Sequence, residues 1–316
     1  MGKLKSVKRN LQLDYLKIVM AIAVISIHTS ISSSESLSLF IKNGPPRAAV
    51  PLFYIINGFF LFKPLQDFAK FKKLLLRILL LYGVWMLIYS PFYQDENVLL
   101  KIFNGFAHLW YLIHLALAMV VLYTLKRLKL TDIQLLIIAL LLFFTGWTLQ
   151  LIKNYNFINL PHPLFLKDSS TRNFLFFSFP LVFLGYSMNT LRGWDFFRKN
   201  SLTLIIIGLI LLMGESIILL VTHQGIFSQD FFPGTLLIAP ALFLYINQKA
   251  PQVTSDDFFA KLYVAIYLTH YLAMELVQAI FPQMQDSFMK FVLILFMTLL
   301  LSTNVIMLNK KIPVFL

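Results

Sequence analysis

No cysteine occurs among the 316 residues. That excludes disulfides, thiolate metal sites and a cysteine nucleophile. Acidic side chains are scarce, with 14 Asp and Glu against 27 Lys and Arg, and charged residues of both signs make up only 13% of the chain. Soluble domains carry about 25%. No GxSxG run is present, which removes the strand-to-helix serine elbow. No internal repeat, low-complexity linker or soluble domain interrupts the sequence. What is abundant is apolar surface: hydrophobic residues make up 59% and the mean hydropathy is +0.77. Such a composition belongs to helical membrane proteins. The 32 Phe and 13 Tyr suit lipid-facing and interfacial positions.

The pattern predicts an all-α, polytopic membrane protein, with residues 1–316 forming one integral-membrane domain. About ten spans are expected, near 14–33, 47–65, 73–91, 108–125, 132–152, 174–191, 201–222, 233–248, 259–281 and 288–308. Each is close to the ~20 residues needed to cross hydrocarbon. The span at 233–248 contains Pro233 and Pro240 and is expected to be kinked or discontinuous. The first apolar run is too long for the core of a cleaved signal peptide and has no small-x-small site after it. Loop charge sets orientation: nineteen Lys and Arg fall on the side of the N-terminus and seven on the other, with Lys17 left out as intramembrane. Both termini are therefore expected in the cytoplasm. The same scatter of cations through short loops argues against nucleic acid as the partner of a +13 chain. The longest exterior loop, 153–173, reads as a lid or acceptor-binding loop.

The first span, LDYLKIVMAIAVISIHT, carries Asp14, Lys17 and His28. Ionisable groups inside a span are costly and mark functional sites. At 100° per residue Lys17 and His28 fall within about 20° of each other, and Asp14 within about 40° of His28 and roughly 21 Å away along the axis. A polar stripe of that length points to a protein-enclosed path. Asp14 is expected to form an ion pair with Lys17 or Arg77. In later spans Glu215, Glu275 and His270 are also intramembrane and should face the bundle and pair, with His270 either a partner for one of the carboxylates or a contact for the acyl-chain path. His108 and His114 lie about 9 Å apart along one helix on different faces. They are not a metal pair, and no metal is expected. Arg47 and Arg172 stand where spans meet the exterior and suit an anionic group or developing charge. Trp110 can stack on a sugar or belong to an interfacial aromatic belt. Glu35, just past the first span, is a second acid/base candidate.

Several segments together resemble one family, the integral-membrane acyltransferases called acyltransferase family 3. LDYLKIVMAIAVISIHTS resembles its opening signature, with an acid and a base early and a His late. RAAVPLFYIINGFFL, from Arg47, resembles the second-span pattern, with Asn57 where Ser is common. KLLLR, Lys73 to Arg77, resembles an Arg-x-x-x-Arg element. HLWYL, from His108, resembles the fourth-span signature. Thr171-Arg172-Asn173 and the apolar run after it resemble the sixth span of Gram-positive members, a group that includes the membrane half of serine/alanine racemases linked to vancomycin resistance. IYLTHYL, Ile266 to Leu272, resembles the late-span motif. The likeness covers nearly the whole chain, through the order and spacing of the pieces. The chain departs from it at Lys17, Lys73 and Tyr271.

The resemblance implies a bacterial cell-membrane enzyme that acylates surface carbohydrates or related envelope molecules, with His28 catalytic. Acyl transfer to an alcohol needs a base, and a His with reference pKa near 6.5 is the usual choice. The donor implied is acyl-CoA, with acetyl-CoA the first choice, as a co-substrate; no permanently bound cofactor is expected. Lys73 and Arg77 are i, i+4 and form a basic clamp for its phosphates, with the arm threading past Lys17. Arg47, Asn57, His108, Trp110, Arg172 and Asn173 are the acceptor or transition-state candidates. The acceptor is expected to be an exterior glycan or lipid-linked sugar, and membrane lipids and neighbouring glycosyltransferases are the expected partners. With no cysteine, direct transfer or a transient acyl-histidine are the simple routes. The rival class is a transporter or flippase for a surface polysaccharide or its precursor; a membrane sensor or scaffold has no soluble domain to support it.

Overall fold

The computed structural model describes residues 7–93, 98–155, 168–223, 229–249, 252–255 and 257–316. Lys3, Lys5, Lys167 and the 156–167 part of the exterior loop lie outside the described residues. The chain is a helical bundle: α1 Leu11–His28, α2 Glu35–Lys42, α3 Ala49–Leu65, α4 Phe68–Tyr89, α5 Val98–Asn104, α6 Trp110–Arg127 and α7 Asp132–Tyr155. It continues with α8 Asp168–Thr171, α9 Phe179–Ser187, α10 Trp194–Lys199, α11 Ser201–His223, α12 Thr235–Lys249, α13 Phe258–Ile280 and α14 Phe288–Lys311. The only sheet among the described residues is a two-stranded antiparallel ribbon, β1 Val7–Asn10 with β2 Gln252–Ser255, pairing Val7 with Ser255 and Asn10 with Gln252. The apolar pattern gives no sign of this ribbon.

Among the described residues, seven helical stretches are long and apolar enough to cross a membrane: Leu11–His28, Glu35–Leu65, Phe68–Phe92, Ala107–Arg127, Asp132–Tyr155, Ser201–Thr222 and Phe288–Lys311. The protein is a multi-pass membrane protein. The other three expected spans correspond to two shorter apolar helices, Phe174–Ser187 and Thr235–Gln248, and to α13. The first of these opens with a π turn over Phe174–Ser178, and the second carries Pro240 inside the helix. The first span also ends earlier than its composition suggests. Thr29 leaves the helix with its N–H still bonded to the Ile25 carbonyl, and a serine-rich link leads to the separate helix α2. His28 is thus the last residue of its helix.

The ribbon and the cap of α1 fix the register of the site. The Asn10 side chain accepts from the Leu13 N–H at 2.9 Å, one of the orphan donors of a helix start. α1 and α13 both leave the ribbon and run side by side in the same direction. Tyr15 meets Phe259 edge-on, the Lys17 ammonium lies 4.9 Å from the centre of the Tyr263 ring, and His28 meets His270. α3 and α9 touch backbone to backbone: a Cβ on Gly58 would collide with the Val182 carbonyl, and one on Gly185 with that of Ile55. Small residues of this kind let membrane helices approach closely where lipid supplies no hydrophobic drive between them. The largest apolar cluster is built around α3, α6, α7 and α9.

Candidate active site

A cavity of about 360 Å³ runs between α1, α3, α4, α6 and α13. Ala21, Val24 and His28 line it from α1, at the spacing of one helical face. Leu74, Arg77, Ile78 and Leu81 line it from α4. Its length follows from helix geometry. The Tyr89 hydroxyl donates to the Leu268 carbonyl at 2.7 Å and accepts from the Leu272 N–H, and the Tyr89 ring lies 5.3 Å from that of His108. Tyr89 is therefore level with the histidines, and Arg77, twelve residues earlier on α4, sits about 18 Å below them. The near mouth holds Arg77, Lys261 and Leu316; the far end holds His28, His108 and Trp110.

α4 is set in place by its start. Asp67 accepts from the N–H groups of Ala69 and Lys70. A hydrogen bond from the Lys70 side chain holds the Asp67 carboxyl below the usual carboxylate range. Arg77 is exposed and donates weakly, at 3.5 Å, to the Leu316 carbonyl oxygen. Residues 315 and 316 are held there by the Asn309 side chain, which accepts from both of their N–H groups. Lys73, one turn before Arg77, is exposed and does not line the cavity. The cation that lines the cavity beside Arg77 is Lys261, which is paired with Asp257 at 2.6 Å. Lys17 does not line the cavity either: it is buried against Asp14 at 3.3 Å and against the Tyr263 ring. The Asp14–Lys17 ion pair was expected from the sequence. Tyr263 stands between Lys17 and the lumen.

At the far end three imidazoles converge. The His28 ring is enclosed by protein, yet its surface is accessible, and that surface faces the cavity. His270 lies 5.5 Å from it and His108 lies 4.5 Å from His270, centre to centre. His270 and His108 are 1% and 3% exposed. The His270 Nδ1 bonds the Tyr267 carbonyl at 2.7 Å. A carbonyl only accepts, so the proton sits on Nδ1 and Nε2 carries the lone pair. That Nε2, and both ring nitrogens of His108, make no hydrogen bond of good geometry within the protein. Buried polar atoms are nearly always satisfied, and exceptions of this kind mark reactive sites. His270 pairs with neither half-buried carboxylate: Glu215 accepts from Trp147 Nε1 at 3.0 Å on the α7–α11 side, and Glu275 lies with Tyr271.

The exterior candidates divide. Asn57 lines the cavity and donates to the Tyr111 hydroxyl at 2.8 Å. Trp110 lines it, and the Arg172 guanidinium lies 4.7 Å from the centre of its ring. Arg47 and Arg172 share one carboxylate, Asp230, at 3.0 and 3.4 Å. Arg47 further donates to the Lys42 carbonyl and the Asn43 side chain, so its fork is filled. Asn173 caps the π turn by accepting from Leu175 and Phe176, a structural task and not an acceptor contact. Glu35 is exposed and lines a different hollow from His28. Asp230, Lys261, Tyr111 and Tyr267 were not singled out in the sequence. Only Asp230 had a visible sign, an acid just ahead of the proline-broken span.

The arrangement joins a basic mouth to a cluster of imidazoles with free nitrogens, through one lumen. The family model described as an acyltransferase domain matches residues 10–307. The chain belongs to acyltransferase family 3. An amino-acid racemase of Enterococcus faecalis is similar to it, 29% identical over 221 residues. That match covers 62% of this chain and 31% of the relative, so the chain spans about a third of the relative's length. The racemase activity in that name belongs to the whole relative. No solved structure matches the chain. The matched domain takes in nearly all of the helical bundle described above.

Proposed function

We propose that this acyltransferase moves an acyl group, acetyl in the first instance, from cytoplasmic acyl-CoA to a hydroxyl of an extracytoplasmic glycan or lipid-linked sugar in a bacterial cell membrane. The near mouth faces the cytoplasm in this reading, in keeping with the excess of Lys and Arg on the N-terminal side. The observation that carries the proposal is that Arg77 and His28 line one cavity. Arg77 and Lys261 hold the donor's phosphates by charge-assisted hydrogen bonds. The apolar walls, Val24, Ile78, Leu81 and Val264 among them, receive its uncharged arm.

The chemistry balances without a cofactor. His28 takes the proton of the acceptor hydroxyl as its oxygen attacks the thioester carbonyl; the new C–O bond forms, the C–S bond breaks, and the proton returns to the CoA sulfur. The Tyr111 hydroxyl lies in the same lumen, accepts from Asn57 and keeps its own proton to donate, so it suits the oxyanion.

The experiment is acetyl transfer by purified protein in lipid discs, supplied with labelled acetyl-CoA and outer-face acceptors. CoA binding that falls in Arg77→Ala, together with ester formation that vanishes in His28→Ala while CoA binding persists, is the expected result. Ester formation by His28→Ala would remove the base. Export of a glycan with unchanged ester content would favour the transporter reading.

A further inference from the structure

A second hollow, of about 410 Å³, opens at the His28 end of the bundle. It lies between the link after α1, helix α2 and the turn joining α13 to α14, and Leu39 is the one apolar residue in its lining. Ser30 is part of its wall. Its Cα is therefore within about 7.6 Å of that of His28, since two residues span at most two Cα steps. The walls carry hydroxyls that both donate and accept, one ammonium and two carboxylates. Lys42 donates to Ser30 Oγ at 2.9 Å, and Asp286 pairs with Lys290 at 3.1 Å. Against the cost of partial burial, hydrogen bonds from Lys290 and Ser30 hold the Asp286 carboxyl below its usual range. Glu35 is left facing the opening. One buried group is unanswered: Ser38, 5% exposed, lines the hollow, and its Oγ has no hydrogen-bond partner.

These features select a ligand. An apolar molecule would cover hydroxyls and charged side chains, with Leu39 the one apolar residue against it. A phosphate or sulfate meets Glu35 and Asp286. A neutral polyol gives donors to the carboxylates and acceptors to Lys42 and Ser38, so every polar group of the lining finds a partner. Resting on the acyltransferase proposal above, we infer that this hollow is the acceptor subsite and that it takes a neutral sugar ring, with the reacting hydroxyl turned toward His28. Glu35, expected from the sequence as an acid or base, then binds the acceptor and takes no part in proton transfer.

The test uses the full chain in lipid discs with labelled acetyl-CoA and a panel of neutral methyl hexosides and N-acetylhexosaminides. Ser38→Ala and Glu35→Gln should each raise the KM for the accepted glycoside about five-fold, the loss of one hydrogen bond, with the KM for acetyl-CoA unchanged. Because the chain has no cysteine, Ser33→Cys on the rim can be labelled after folding with a bulky maleimide. Transfer should fall by roughly ten-fold or more relative to the same variant before labelling, since a single lost ring contact set exceeds 1.4 kcal/mol, while CoA binding stays. Equal rates and equal glycoside KM before and after labelling would overturn the assignment. A chain that binds CoA but acylates no member of the panel would overturn the neutral-sugar inference alone. A chain that does not bind CoA would overturn the donor proposal beneath it.

Discussion

Two polar clusters lie side by side at the far end of the bundle, and they are built in opposite ways. In one, Asp230 is gripped by Arg47 and Arg172, Arg47 spends its remaining donors on Lys42 and Asn43, and Arg172 stacks on Trp110. In the other, His28, His270 and His108 sit together with the His270 Nε2 and both His108 nitrogens lacking a hydrogen bond of good geometry, and with the His28 edge open to a lumen. A filled network rigidifies a low-dielectric region; an unfilled one there is costly and persists where chemistry needs it. In the proposed reaction the first cluster is the frame, and the second carries the chemistry.

Substitutions can break that contrast. The largest effect is expected in His28→Ala, with transfer falling about 10²–10⁴-fold and thermal stability in detergent nearly unchanged, because the ring faces a cavity and not packed neighbours. Asp230→Ala should do the reverse. It leaves two arginines without their counter-charge at a mostly buried site, a loss of about 3–5 kcal/mol, read as a lower unfolding temperature and poor recovery from the membrane. Equal damage to stability from both variants would erase the distinction. Arg77→Ala should raise the KM for acyl-CoA roughly ten- to hundred-fold, the loss of a hydrogen-bonded charge worth about 1.5–3 kcal/mol, whereas Lys73→Ala, outside the cavity, should change it by less than about two-fold. The smallest effect is expected in Asp257→Asn. Hydrogen bonding by Lys261 holds the Asp257 carboxyl below its usual range, so that carboxyl stays ionised at neutral pH. Freeing Lys261 for the donor should tighten CoA binding about two-fold.

Part of this site is legible in the chain itself. His28 and Arg77 stand out because charge-bearing side chains in an apolar helix are rare and costly. Helical phase, however, gave Lys73 the same face as Arg77 without saying that the lumen begins one turn deeper. Phase likewise put Lys17 on the stripe of His28, while a local partner three residues away, Asp14, takes it out of the path. Asn173 reads as a polar group at an interface until its caps to Leu175 and Phe176 are seen. The meeting of α1 with α13, which brings His270 to His28, depends on contacts more than 240 residues apart. So does the Asp230 bridge, 183 residues from Arg47. Pairings of that range leave no periodic trace, and neither does the β1–β2 ribbon that starts both helices.

The most direct measurement is an experimental structure of the full chain in lipid discs with bound acetyl-CoA. The account predicts phosphates against Arg77 and Lys261, the arm running up the lumen past Val24 and Leu81, and the thioester carbon beside His28. Phosphates bound away from Arg77, or a thioester that stops short of the imidazoles with the lumen closed above it, would contradict it.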